Sequence, residues 1–397
     1  MLGQNNENLL QINRSLVVQN LQQNKVMTRA QLSKRLGLTP ASITKIVGEL
    51  IEKNLIEEIG FQVGEKGRRS IGIRLKNQYL LIGAKLSRRN FSVGVFNFNG
   101  EIMDYYTEKL AVQPLKPILE KIKEKIREYI DKYPKTAAIG LAVPGPYLEK
   151  ESRIVLVTET EGWEQINLKE EFAEGFDRPV IIKHDANSGA LAEWWFGKHS
   201  TLSGGTLVNF FVGEGIGAGV IVDGEIMSGD TGTAGEIGHV SINAEGLRCD
   251  CGNFGCLELY CSSLSLVKRT QKRLHQYPNS RLCKIDKLKA EDVFAAAESG
   301  DELAIRMVEE SGKYMGYGLV TLMNVYDPST IVISGEMARG GERILKEAVD
   351  VVKERVSPYF ASKVKIQLSA FSKDPILYGA AAVAIDYCLK NPLYLEL

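Results

Sequence analysis

No stretch of this sequence approaches the roughly 18 consecutive apolar residues that a membrane-spanning helix needs. Residues 1–10 lack the basic-then-apolar order of a secretory signal. No short-period repeat and no low-complexity tract is present. The expectation is a cytoplasmic protein. Cysteine is scarce, six residues in 397, and disulfides are not expected in that compartment. Net charge is absent too, with 49 basic and 49 acidic residues. Hydrophobic residues at 44% and charged residues at 25% exclude a disordered chain, a collagen-like chain and a coiled-coil rod. The length allows two to four domains at roughly 100–200 residues each.

The zero charge conceals an asymmetry. Residues 1–76 hold 12 Lys and Arg against 6 Asp and Glu, whereas the rest hold 37 against 43. A basic end on an acidic body points to a nucleic-acid-binding module joined to something else. Leu9, Ile12, Leu16, Val17 and Leu21 recur at helical spacing. Thr28 can cap a helix that ends at Gly37, and Thr39 can cap a second with Pro40 at its first position. That second helix places Ile43, Ile46, Val47, Leu50 and Ile51 on one face. Two short strands follow, near 56–59 and 71–75, around a tip at 64–70. Helix, helix-turn-helix and hairpin make a winged helix. Thr39, Ala41, Ser42, Thr44 and Lys45 are the candidates to enter a major groove. In the wing, Lys66, Gly67, Arg68 and Arg69 suit a narrow A·T-rich minor groove, whose negative potential attracts Arg.

Past Lys76 strands alternate with helices in two similar halves, the second beginning near Thr206. This pattern predicts two α/β lobes with a cleft between them. His239, Cys249, Cys251 and Cys256 make a tetrahedral Cys₃His set, which predicts structural zinc. Gly252 and Gly255 let the backbone curl so that closely spaced sulfurs face one ion. Cys261, Cys283 and Cys388 read as isolated core thiols.

GlyGluIleGlyHis at 235–239, followed by CysXCysGlyXXGlyCysLeuGlu at 249–258, resembles the signature of the ROK family of repressors, open reading frames and sugar kinases. AspAlaAsn with AlaLeuAlaGlu at 185–193, ProGlyPro at 144–146 and the glycine-rich stretch 213–220 agree with it. The similarity covers about residues 78–390, and the winged helix in front resembles the repressor branch, regulators of xylose, glucose or N-acetylglucosamine genes. The resemblance implies an α/β architecture with an actin-like, sugar-kinase-type fold. A winged helix would span 1–76, a first lobe 77–200 and a second lobe 201–397, with the chain returning to the first lobe near its C-terminus. It also implies a sugar in the cleft and a homodimer or homotetramer. Asp185 matches the family's catalytic base, which also holds a sugar hydroxyl; Glu236, His239 and Glu258 match its other sugar contacts.

Departures from the family fall in two places. In the sugar pocket, His184 stands where Asn is common, and Glu159 replaces a sugar-binding Asn. A carboxylate there favours a hydroxyl-rich partner over an anionic one. In the phosphate loops, Lys85 replaces the Asp of the kinases' Asp-X-Gly-Gly-Thr, Arg88 and Arg89 occupy the glycine positions, and Glu214 replaces a Thr. A backbone cradle for phosphate needs glycine's freedom, so phosphoryl transfer is not expected. The expected function is a sugar-responsive repressor of carbohydrate uptake and catabolism genes, acting as a dimer on a palindromic operator. A sugar kinase with an appended DNA-binding head stays open through Asp185. So does a regulator whose signal is a transporter protein.

Overall fold

The computed structural model describes residues 6–63, 69–110, 114–155, 162–173, 175–197, 205–371 and 374–395. The chain begins with α1 (Asn6–Asn24), β1 (Met27–Thr28), α2 (Arg29–Leu36), α3 (Pro40–Glu52), β2 (Ile56–Val63) and β3 (Arg69–Leu75). The caps read from the sequence are in place. Thr28 accepts from the Gln31 amide while the Gln31 side chain accepts from the Thr28 amide, a reciprocal capping box. Gly37 closes α2 in the left-handed region, and Thr39 caps α3 with Pro40 behind it. β3 lies between β1 and β2, antiparallel to both.

α1 buries Val17, Val18 and Leu21, whereas Leu9, Ile12 and Leu16 are exposed. Helical spacing placed these residues on a helix but did not select its buried face. An ion pair of Arg14 with Glu49 at 2.7 Å ties α1 to α3.

The first lobe runs through β4 (Leu80–Leu86), β5 (Asn90–Asn97), β6 (Ile102–Lys109), α4 (Leu115–Lys132), β7 (Thr136–Val143), the short β8 (Tyr147–Leu148) and β9 (Arg153–Ile154), α5 (Leu168–Ala173), β10 (Val180–His184) and α6 (Asp185–Phe196). The second comprises β11 (Thr206–Val212), β12 (Ile216–Val222), β13 (Glu225–Ile226), α7 (Glu258–Cys261), α8 (Ser263–Arg273), α9 (Ala290–Glu298), α10 (Glu302–Tyr326), β14 (Thr330–Ser334), α11 (Gly341–Arg355), α12 (Pro358–Ala361) and β15 (Lys365–Leu368), followed by α13 (Pro375–Lys390). The sheets repeat one topology. In the first, β10-β7-β4-β5-β6, an antiparallel meander of three strands is extended by two parallel strands. In the second, β13-β12-β11-β14-β15 does the same.

α13 carries the chain back onto the first sheet. A Cβ at Gly140 of β7 would lie 1.9 Å from the Ala380 carbonyl oxygen, and one at Gly83 of β4 would lie 2.8 Å from the Ala381 nitrogen. Glycine in the strands and alanine in the helix allow this approach. α6 packs along α13, with Trp195 donating to Asp386 at 3.2 Å. One continuous hydrophobic cluster then joins Val17, Leu21 and Ile46 of the head to Trp194 and Trp195 of α6 and to Ile385 and Leu389 of α13. Gln22 donates to the Phe98 carbonyl and Lys25 to Asn99 at 3.0 Å, adding polar links between head and first lobe. Separate cores fill the space between each sheet and its outer helices.

Candidate functional site

Between the lobes lies a cleft of about 1440 Å³. β10 runs parallel to β7, so both end at the cleft, one in His184 and Asp185 and the other in Pro144–Gly145–Pro146. Gly145 must be glycine: a Cβ there would lie 2.1 Å from His184 Nε2. His184 is buried, with Nε2 at 2.9 Å from Asp185 Oδ1 and Nδ1 at 4.0 Å from Glu236 Oε1 of the other lobe. Burial opposes the imidazolium, but attraction to Asp185, a hydrogen bond to it and attraction to Glu236 together raise its pKa above the ordinary histidine value. Burial raises the Glu236 carboxyl, against the attraction of His184 and His239. Glu236 Oε1 is buried and has no hydrogen-bond partner among the described residues. Glu258 heads α7, and its Oε2 accepts from the Ile216 amide at 2.9 Å. Asp185, Glu236, His239 and Glu258 thus line one cleft with His184. Glu159 lies outside the described residues.

His239, Cys249, Cys251 and Cys256 come together beside this pocket, all four donor atoms within 4.8 Å of one another. Cys251 and Cys256 sulfurs are 3.7 Å apart, and Cys249 Sγ is 3.8 Å from His239 Nδ1. A tetrahedral ion with bonds near 2.3 Å separates its ligands by roughly 3.8 Å, so the set fits such an ion. The thiols are free of disulfides. Gly255 has φ +67°, and a Cβ there would strike the Asn243 carbonyl oxygen at 1.7 Å. Asn253 donates to the His239 carbonyl at 2.9 Å and so joins the two ligand segments. Burial, then hydrogen bonding among the three thiols, pushes Cys256 up to about 12. Such a thiol yields its proton to a strongly held cation. His239 faces Cys249 through Nδ1, leaving Nε2 as its other polar atom. Of the three cysteines read as core thiols, Cys261 and Cys388 are buried. Cys283 is exposed; it sits on a short 3₁₀ turn and donates to the Tyr277 carbonyl.

The residues that depart from the kinase phosphate-loop pattern are engaged in ion pairs. Lys85 pairs with Asp374 at 2.8 Å, and Asp374 also accepts from Ser92 at 3.1 Å. Arg89 pairs with Glu214 at 3.0 Å, linking the β4–β5 turn of one lobe to the β11–β12 turn of the other. The charge of Glu214 is therefore met by Arg89 rather than left facing the cleft alone. Arg88 lines the cleft beside them. Unforeseen from the sequence are Lys268 and Lys272 of α8 and Arg339, which line the same cleft. Their only sequence signal was the i, i+4 spacing of the two lysines.

On α3, Thr39, Ala41, Thr44 and Lys45 are exposed and Ser42 is half-buried. The Thr39 and Ser42 hydroxyls lie 2.9 Å apart, and Thr44 Oγ1 donates to the Pro40 carbonyl at 2.8 Å. Among the described residues Lys45 makes no hydrogen bond or ion pair. Lys66, Gly67 and Arg68 lie outside the described residues, and Arg69 begins β3.

Residues 12–57 match a winged helix-turn-helix DNA-binding domain, and residues 81–387 match the ROK family. The chain is 30% identical to the xylose repressor of Caldicellulosiruptor bescii over 97% of this chain and 98% of that protein. It is 31% identical to the DNA-binding transcriptional dual regulator NagC of Escherichia coli K12 over 86% of this chain and 84% of that one. A crystal structure of a ROK family transcriptional regulator, a homolog of the E. coli MLC protein, superposes with TM-score 0.82 at 28% identity over 98% of both chains. With its glycine-lined cysteine cluster, twin sheets and capped helix-turn-helix, the chain belongs to the ROK family, in the form that carries an N-terminal winged helix-turn-helix.

Proposed function

We propose that this protein is a sugar-responsive transcriptional repressor of carbohydrate uptake and catabolism genes. The observation that carries the reading is the cleft itself. Its hydroxyl-accepting end is intact at Asp185, Glu236 and Glu258, while the phosphate positions hold the pairs Lys85–Asp374 and Arg89–Glu214. Asp185, the residue that would take a proton in a kinase, is paired with His184. The reading is therefore of a site that binds a sugar without transferring phosphate to it.

Asp185 belongs to the first lobe and Glu236 and Glu258 to the second, so one bound sugar links the two. Its hydroxyls donate to Asp185 and to Glu236 Oε1, which has no hydrogen-bond partner among the described residues. α6 starts at Asp185 and ends at Trp194, Trp195 and Phe196 against the core shared with the DNA-binding head. Lobe closure therefore reaches the head through a packed helix. The sugar shifts the equilibrium only by its difference in affinity between the two arrangements. Zinc held by His239, Cys249, Cys251 and Cys256 would fix the loop that carries the sugar contact His239. Two copies would place their α3 helices and wings in the two halves of a palindromic operator in the cytoplasm. The relatives' names differ in the sugar they carry at similar identity, so identity alone does not select the sugar.

The test has two parts. A thermal-shift screen against xylose, glucose, mannose, N-acetylglucosamine and their phosphates finds the ligand. An operator selected from random duplexes then reports whether that ligand changes DNA affinity. A filled pocket with no change in operator affinity overturns the proposal. Conversion of any screened sugar to its phosphate by ATP would restore the kinase reading.

A further inference from the structure

We infer that the β12–β13 hairpin of the second lobe passes lobe position directly to the DNA-binding head, with Lys390 of α13 as the residue that registers it. The purpose of this device rests on the sugar-responsive reading, but the contact itself can be tested without any sugar.

Val222 pairs with Glu225 across a two-residue turn, Asp223–Gly224. Both turn residues take positive φ, +50° and +87°, the type I′ geometry that Asp-Gly favours. Asp223 also accepts from the Gly205 amide at 3.2 Å, which fixes the turn to the start of β11. The tip of the hairpin reaches past its own sheet. A Cβ at Gly224 would lie 3.5 Å from Cζ2 of Trp194 on α6. Ile226 packs against the cluster that joins the head to α6 and α13. Glu225 Oε2 accepts from Lys390 Nζ at 2.7 Å.

Lys390 stands on the last turn of α13, where both lobes and the head meet. One turn earlier, Asp386 pairs with it at 3.2 Å and accepts from Trp195 of α6. Beside it, Asn391 accepts from Gln11 of α1 at 3.2 Å, and α1 packs on α13. Lys390 thus has two anionic partners that move differently. Asp386 lies four residues away on the same helix and stays with it in any arrangement. Glu225 belongs to the second lobe and comes or goes with that lobe. Relative movement of the lobes therefore makes or breaks one ion pair on the turn that carries α1.

The strand behind the hairpin begins at the sugar residues. The amide of Ile216, the first residue of β12, donates to Glu258 Oε2 at 2.9 Å. The seven residues of β12, rising roughly 3.3 Å each, span about 20 Å from there to the turn. In the first lobe α6 runs likewise from Asp185 to Trp194 and Trp195. Each lobe sends one rigid element from a cleft carboxylate to the same junction under the head. A ligand that moves Glu258 relative to Asp185 thereby moves Glu225 relative to Lys390.

The test titrates an operator, selected from random duplexes, into full-length protein without sugar. The proteins are wild type, Glu225→Gln, Glu225→Lys, and Glu225→Lys in an Asp386→Asn/Lys390→Gln background that removes both other charges together. Glu225→Lys sets two cations against each other and should change operator affinity by about threefold or more, within the scale of coupling between groups in contact. Glu225→Gln should change it in the same direction by less. In the neutral background the change should vanish. Hydrogen exchange in Glu225→Lys, which needs only the single variant, should speed up in residues 6–24 and 386–391. Operator affinity within about twofold of wild type, or unchanged exchange in α1, would overturn the inference. An equal change in the neutral background would overturn it too, because the added charge would then act on the DNA itself. A protein that answers to Glu225→Lys but to no screened sugar keeps this tie and loses the effector reading; a sugar response with Glu225→Lys silent does the reverse.

Discussion

Replacing Asp185 with Asn keeps the shape of the side chain and removes its charge. Two interactions change. The first is with the sugar: a hydroxyl donating to a carboxylate contributes roughly 1.5–3 kcal/mol. Lost in full, that weakens sugar binding by roughly 10- to 150-fold, at 1.4 kcal/mol per tenfold. The second is with His184, whose Nε2 lies 2.9 Å from Asp185 Oδ1. Although burial alone would lower the His184 pKa, Asp185 and then Glu236 raise it above the ordinary value. A raised histidine pKa adds stability that is fully present below the unfolded value near 6.5. That stability is lost as pH rises through the folded value. Asp185→Asn should therefore melt below the wild type in acid and neutral buffer, and the two curves should converge as pH rises above the folded pKa of His184. Calorimetric sugar titration and melting curves across pH measure both effects. Unchanged sugar affinity in a folded Asp185→Asn protein would refute the pocket assignment. A melting difference that grows with pH would refute the His184–Asp185 pairing.

Cys251→Ser should lower bound zinc, destabilise the second lobe and weaken sugar binding, because His239 is both a proposed ligand and a pocket residue; metal analysis that finds no zinc in wild-type protein would contradict this. Labelled ATP should give no sugar phosphate with any screened sugar, and turnover on the order of 1–100 per second would place the protein among working kinases. Glu193 of α6 is buried, and burial raises its carboxyl to about 7 despite the bond from Ser369. Its protonated form thus favours folding: the contribution of Glu193 to stability is full below about 4.5 and is lost as pH rises through about 7. Glu193→Gln should flatten that profile and gain roughly 1–3 kcal/mol at pH 8, read by denaturant unfolding.

Local chemistry made part of this molecule legible in advance. Thr28, Gly37, Thr39 and Pro40 act on helix ends within four residues, so their roles can be read directly. The clustered cysteines are legible for the same reason, being close in sequence, with His239 only ten residues from Cys249. Features that depend on distant partners were hidden. Leu9, Ile12 and Leu16 lie on the face of α1 that α13 does not cover, and nothing near them in sequence says so. The salt bridge of Lys85 joins a residue 289 positions away, so the departure of Lys85 from the kinase pattern could be read from the sequence but its partner Asp374 could not. Lys268 and Lys272 face the cleft only because of how α8 packs against α9 and α10. Cys283 looked like the other isolated thiols, yet its turn leaves it on the surface.

The central claim is that one sugar, held between the lobes, controls the DNA-binding head through α6 and α13. Linkage makes this testable from either side, because operator DNA must change sugar affinity by the factor by which sugar changes operator affinity. The most direct measurement is a pair of titrations of the screened sugar into full-length protein, with and without saturating operator, at one salt concentration because phosphate contacts are salt-dependent. The expected result is a shift in sugar Kd of about 5- to 150-fold, matched by an equal shift in operator Kd when sugar is saturating. Identical sugar affinities with and without operator, in protein whose pocket demonstrably fills, would contradict it.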